Sequence, residues 1–240
     1  MSAMEQLSPQ LMHKLVFTVL MHGLNEAQTP IAFKVLVEAL RHPNPTVREL
    51  AVVALADLPV PPAERVGGLL SALADPAARV RRRAARALGD LGAAAGTGLG
   101  GLIAGLDDPD VSVRRDCAGA IGRLGPAAGP AAAAGLVALL TEPEARTRAV
   151  VAVALKRLGT AAVPALLGGV RSPAAELRGR CASLLGEIAP TDVVVAVVLR
   201  EVLTDSDEEV RAKADAALQY VVTPPPVPMP KPRGGLPVEV

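Results

Sequence analysis

The chain has 240 residues, 25 of them basic and 24 acidic, for a formal net charge of +1; no overall field marks it as a nucleic-acid or membrane-surface protein. Half of it is hydrophobic, yet Phe17, Phe33 and Tyr220 are the only rings and Trp is absent. The interior must therefore be filled by Ala, Val and Leu, small residues that let helices pack closely in layers.

The N-terminal stretch, residues 1-27, contains an amphipathic pattern from Pro9 to Leu24 that predicts a helix capping one end of the molecule. It lacks a basic segment followed by a long apolar core, and the runs Leu15 to Met21 and Val193 to Leu199 are too short to cross a bilayer. We expect a soluble protein of a reducing compartment, most simply the cytoplasm.

From residue 28 to 222 one phrase returns six times, beginning at Leu40, Leu73, Leu106, Leu140, Val170 and Leu203, with spacings of 33, 33, 34, 30 and 33 residues. A period of this size, with one helical pattern in each copy and a second apolar stretch between copies, marks a stacked two-helix solenoid. In each copy a turn follows the opening residue, as in Asp75-Pro76, Asp108-Pro109 and Glu142-Pro143; Pro43, Pro173 and Ser206 hold the proline slot elsewhere. Proline there stops the preceding helix. Asn44, Asp110, Glu144 and Asp207 then stand where an N-cap belongs, and Pro45 takes the favoured first helical position.

The second helix of each copy carries its apolar residues at steps of three and four, for example Val80, Ala84, Ala87, Leu88 and Leu91, then Val113, Cys117, Ala120, Ile121 and Leu124. Gly92, Gly125 and Gly159 end three of these helices. The first helices fill 29-41, 62-73, 94-106, 128-140, 160-170 and 191-203. Glycines from Gly96 to Gly105 predict that the third of these is weak. Cys117 and Cys181 share a slot with Ala51, Ala84, Val151 and Ala214, which makes them buried small residues rather than a disulfide.

The D-P turn, the V-R pair, the small residues after it and the L-G-x-L-G ending are complete in Asp75-Pro76, Val80-Arg81, Ala84-Ala85, Leu88-Gly89 and Leu91-Gly92. This phrase resembles the HEAT repeat, in the short bacterial form found in bilin lyase subunits and called PBS-lyase HEAT-like. The resemblance implies an all-α, right-handed α-solenoid (HEAT-like superhelix) of about six helix pairs, with the second helices on the concave face. It also implies a structural role for the arginine present in all six copies: Arg48, Arg81, Arg114, Arg148, Arg178 and Arg211 would pair with turn carboxylates such as Asp75, Asp108, Glu142 and Asp205. A planar guanidinium can bridge two acceptors and staple neighbouring repeats.

Positions of the second helices that the apolar stripe leaves exposed vary, and there Arg79, Arg82, Arg83, Arg86, Arg115, Arg123, Arg146, Arg157 and Arg180 form a basic band over the middle repeats. The plain reading is a solvated face in a chain with 20 Arg against 5 Lys. The functional reading is a groove whose walls focus positive field on an acidic protein segment. Nucleic acid is disfavoured, because aromatic stacking platforms are missing and net charge is near zero.

Catalytic patterns are absent. Gly96, Gly98 and Gly101 fit G-x-G-x-x-G, but no strand precedes them. His13, His22 and His42 are the only histidines, without metal spacing, and Cys117 has no histidine in adjacent repeats to activate it. The bilin lyase relatives keep one enzyme alternative open, without a residue to carry it; a weak nucleic-acid binder is the other alternative. Residues 223-240, rich in proline from Pro224 to Pro232, predict an extended tail. The expectation is a non-enzymatic, monomeric protein-interaction scaffold without cofactor or metal.

Overall fold

The computed structural model describes residues 29–221; the expected cap helix and the proline-rich tail lie outside them. Within that span every regular element is helical. The helices alternate as expected between a first and a second member of each repeat. The first members are α1 (Thr29–Ala39), α3 (Pro62–Leu73), α5 (Leu99–Ala104), α7 (Gly129–Ala138), α9 (Val163–Gly169) and α11 (Val193–Val202). The second members are α2 (Pro45–Asp57), α4 (Ala78–Asp90), α6 (Val111–Leu124), α8 (Ala145–Leu158), α10 (Ala175–Ile188) and α12 (Glu208–Leu218).

Local chemistry sets the boundaries. Asn44 accepts from the Thr46 N–H at 2.8 Å, Asp110 from Ser112 and Val113, and Asp207 from Val210, satisfying donors that a first helical turn leaves open. Glu144 departs from the expectation. Its longer side chain accepts from Thr147 Oγ1 and Arg115 instead of capping α8. Gly125 and Gly159, at φ of 63° and 62°, turn the chain out of α6 and α8, a backbone that a Cβ would oppose. Counted through their 3-10 links, Val111–Thr141 and Ala145–Gly169 are long and apolar enough to cross a membrane. Those two glycines break each run, and no α-helix among the described residues exceeds 14 residues, short of the roughly 20 that a straight span requires.

The core is a column of equivalent positions. Leu55, Leu88, Ile121, Leu155 and Leu185 are fully buried at successive layers, as are Ala51, Ala84, Cys117, Val151, Cys181 and Ala214 beside them. Both cysteines are free, and burial pushes each thiol up to about 12, so neither carries a thiolate near neutral pH. At the final layer Asp215 is exposed where Val52, Ala85, Ala118 and Ala182 are buried, giving the stack a polar end.

Except between repeats four and five, second helices pack against one another far more closely than first helices do, so the stack curves toward them and they form its inner face. One slot per helix permits this approach. A Cβ on Gly122 would lie 2.9 Å from the Ala154 Cα, and one on Gly186 would lie 2.8 Å from the Ala217 carbonyl oxygen. In repeat four the same slot holds Lys156, and there α8 and α10 pack most loosely of all the successive inner pairs. Repeat four is also the one whose successor starts only 30 residues later, and the missing residues come from α9, which has 7 residues where α7 has 10.

The third outer helix is shorter than the expected 94-106, in keeping with its glycines. A 3-10 helix covers Gly92–Gly98, and only Leu99–Ala104 is α-helical. Each glycine in a helix costs about 0.5–1 kcal/mol relative to Ala, and 3-10 hydrogen bonds are poorer than α ones. Hydrogen exchange should therefore show the amides of residues 92–104 opening faster than those of α3 and α7 on either side. Equal protection would remove the soft layer.

Candidate binding site on a stapled inner face

Each repeat arginine grips two turns at once. Arg48 donates Nη1 to the carbonyls of His42 and Pro43 in its own turn, while Nε and Nη2 reach both oxygens of Asp75 in the next, at 2.6 and 2.9 Å. Arg81 does the same with Asp108 at 2.7 and 2.8 Å, Arg114 with Glu142 at 3.0 and 2.9 Å, and Arg178 with Asp205 at 2.7 Å on both oxygens. These are fork-on-fork pairs, the geometry that distinguishes Arg from Lys. The aspartates also accept the N–H two residues on, from Ala77, Asp110 and Asp207, which fixes the turn itself.

Two arginines of the ladder lack a carboxylate. Arg211 closes the series and holds only the carbonyls of Asp205 and Ser206. Arg148 holds the carbonyls of Glu142 and Pro143 at 2.7 and 2.6 Å, but the turn of repeat five offers Ser172. Its hydroxyl supports the turn by accepting from Ala174 N–H and carries no charge for Arg148. The unstapled junction is the same one that Lys156 loosens. Arg180 crosses it instead, donating Nη1 to the Leu140 carbonyl at 2.8 Å.

Burial alone would raise the carboxyls of Asp75 and Asp108, but hydrogen bonds from Arg48 and Arg81, with those from the backbone of Ala77 and Asp110, outweigh it and hold both below the usual range. Asp205, hydrogen-bonded by Arg178 and by the Asp207 amide, is lowered to about 2.

The predicted basic band sits on the inner face, yet seven of its nine members are engaged, which corrects the expectation of a free cationic groove. Arg82 and Arg86 both meet Asp116, at 3.0 and 3.1 Å; Arg83 meets Glu49 at 3.0 Å, and Arg79 meets Glu49 and Thr46. Arg115 meets Glu144 at 2.7 Å, Arg123 meets Asp90 at 3.3 Å, and Arg180 pairs with Glu176 on its own helix. Apart from the Arg115 and Arg180 pairs, all of these ion pairs join α2 to α4 or α4 to α6; Arg115 ties α6 to the start of α8. Reading one helix at a time missed the interleaved acids. Two of them, Asp116 and Asp90, become visible when the residues ten and seventeen places after the starts of the first five copies are set side by side: Leu50, Arg83, Asp116, Val150, Arg180, and Asp57, Asp90, Arg123, Arg157, Glu187.

Only Arg146 and Arg157 have no hydrogen-bond or ion-pair partner among the band's members, and both are exposed on α8. Between them on the same stripe stand Val150 and Val153, the latter 48% exposed. Opposite, on α6, the equivalent of Val153 is Gly119, so a hollow opens. A cleft of about 350 Å³ is lined by Gly119, Gly122, Val150, Val153 and the three arginines Arg123, Arg146 and Arg157, among others. It adjoins a second cleft of about 290 Å³ that shares Gly119, Arg123, Arg146 and Val150 and extends to Arg86, Asp90 and Asp116.

A family description of HEAT repeats matches residues 33–99, 66–156, 99–186 and 133–219. No protein of curated function matches the chain. Among solved structures, an engineered protein is 21% identical over 82% of this chain and 99% of its own, with a TM-score of 0.54. Importin beta is 16% identical over 91% of this chain and 32% of its own, with a TM-score of 0.62. The complex of CpcE and CpcF of phycocyanin lyase from Nostoc is 25% identical over 77% of this chain and 75% of its own, with a TM-score of 0.49. At these identities the first two likenesses speak to the fold alone.

The staple separates two otherwise similar arginines. Arg81→Ala removes carbonyl contacts and strands a nearly buried Asp108, and should cost about 3 kcal/mol in urea denaturation. Arg148→Ala removes carbonyl contacts only and should cost about 1 kcal/mol; equal losses would show that the carboxylate contributes nothing. Acid should act through the same groups. Because Asp205 titrates lower folded than the ordinary aspartate value of about 3.9, its contribution is complete above that value and fades as pH falls toward about 2. Stability curves for the native chain and Arg178→Gln should converge over that window, and parallel curves would count against the pair.

Proposed function

The chain belongs to the HEAT-repeat family, and we propose that it is a non-enzymatic scaffold whose inner face captures an acidic segment of a partner protein. The observation that carries this reading is the excess of unneutralised arginine beside exposed apolar surface in one place. Of the five arginines that line the two adjoining clefts, Arg86, Arg115 and Arg123 are paired with Asp116, Glu144 and Asp90, which leaves Arg146 and Arg157, and Val150 and Val153 supply an apolar floor between these two. A concave wall concentrates the field of such charges, while apolar contact supplies affinity that charge alone would not.

The non-catalytic reading is supported by the state of the nucleophile candidates: Cys117 and Cys181 are fully buried in the core column, with thiols pushed up to about 12.

The staple arginines belong to the framework under this reading, and so do Arg82, Arg83, Arg86 and Arg115, whose charges are already matched by Asp116, Glu49 and Glu144. A photocrosslinking side chain placed at Val153 on the inner face, and separately at Ala134 on the outer helix α7, tests the assignment in the protein's native cells. Protein crosslinks should form through position 153 and not through 134. Crosslinks through 134 alone, or recovery of nucleic acid at 153, would sink the reading.

A further inference from the structure

Arg146 and Arg157 are eleven residues apart on α8, three turns that return to the same face. Their Cα atoms are therefore separated by about 16 Å along the helix, with Val150 and Val153 between them on one stripe. No other inner helix repeats this order. The equivalent four positions read Arg79, Arg83, Arg86, Asp90 on α4 and Ser112, Asp116, Gly119, Arg123 on α6. In those two helices every charged member is paired across repeats, whereas the two cations of α8 are not.

The neighbouring surface explains why the stripe is open. Gly119 faces Val150, and a Cβ built on it would sit 3.6 Å from Val150 Cγ1, in ordinary contact. The hollow beside the valines thus exists because repeat three has no side chain there. On the other side, the junction with repeat five is the one that lacks the carboxylate staple and the close glycine contact, so α10 does not close over α8.

The geometry points to a recognition register on α8: one extended peptide segment with two carboxylates four residues apart, on the same side of the segment, one on Arg146 and one on Arg157, and a small apolar side chain between them in the hollow at Gly119, Val150 and Val153. At about 3.3 Å each, four residues of an extended chain rise about 13 Å and return to the same side of the segment, and the length of the arginine side chains covers the rest of the span. This register rests on the inner-face reading above and adds to it a spacing and an anchor pair. Charge complementarity selects the acidic ends; the valines and the absent side chain at Gly119 select the apolar middle. A highly charged segment without that middle leaves apolar surface uncovered and binds less well.

The probe is the fluorescein-labelled peptide Gly-Glu-Ala-Val-Ala-Glu-Gly, whose two glutamates and central valine share one side of an extended chain, read by fluorescence anisotropy with the full chain, beside a permuted peptide carrying both glutamates side by side. Arg146→Ala and Arg157→Ala should each weaken binding about tenfold, and the permuted peptide should lose a similar factor. Gly119→Leu, which fills the hollow, should also weaken binding. Thermal melting of the two arginine variants should stay close to the native chain, since neither side chain makes a hydrogen bond or ion pair, and Gly119→Leu should melt no lower, since it removes a glycine from the interior of α6 and its Cβ meets only ordinary contacts. Absence of binding by the native chain, equal binding of the permuted peptide, unaltered affinity in Arg146→Ala and Arg157→Ala, or tighter retention of a single-stranded oligonucleotide would each overturn the register. Crosslinking of a protein through Val153 together with any of those first three results would leave the inner-face reading standing and remove only the register. Loss of both would remove the two together.

Discussion

The bidentate pairing of one arginine per repeat with the turn carboxylate of the next repeat is the constraint on which the stack depends. A two-helix repeat buries one face within itself and needs a neighbour for the other, and hydrophobic contact alone does not fix the rotation or rise between layers. The guanidinium does, because its fork has one orientation in which Nη1 meets two carbonyls of its own turn while Nε and Nη2 meet a carboxylate beyond it. Arg48, Arg81, Arg114 and Arg178 repeat this geometry with nearly the same distances, so four of the junctions share one setting.

Between repeats four and five the constraint lapses. Ser172 preserves the turn but gives Arg148 no charge to hold, Lys156 occupies the slot that close packing reserves for glycine, and α9 has lost about one turn of helix. Three independent changes coincide at one boundary, and the inner helices separate there. The exposed stripe of α8 is the surface that this separation leaves uncovered. The departures from the repeat and the best candidate for recognition thus occupy the same place, which is where local rules are expected to give way to function.

Across the rest of the inner face charge is used for cohesion. Glu49, Asp90, Asp116 and Glu144 meet arginines of adjacent helices, turning a band that reads as cationic along each helix into an alternating lattice across them. Such partly exposed pairs are individually weak; their larger consequence is to neutralise the groove everywhere except around Arg146 and Arg157.

The amino-acid sequence by itself determined the solenoid: the period, the proline at each turn, the cap residues Asn44, Asp110 and Asp207, and the buried column from Leu55 to Leu185 all come from local spacing and the need of each helix to bury one stripe. It also carried the identity of the staple arginine, because one residue type recurs at one offset. Pairing between layers was decided by tertiary structure. Asp116 and Arg82 are 34 residues apart, and only the rise and rotation of the stack bring their side chains to 3.0 Å. The same holds for Glu144, whose place in the sequence fits an N-cap but whose carboxylate is drawn to Arg115 across the layer. Whether a surface arginine is free or neutralised depends on what stands one repeat away, and that is set by packing geometry, not by the pattern along a single helix.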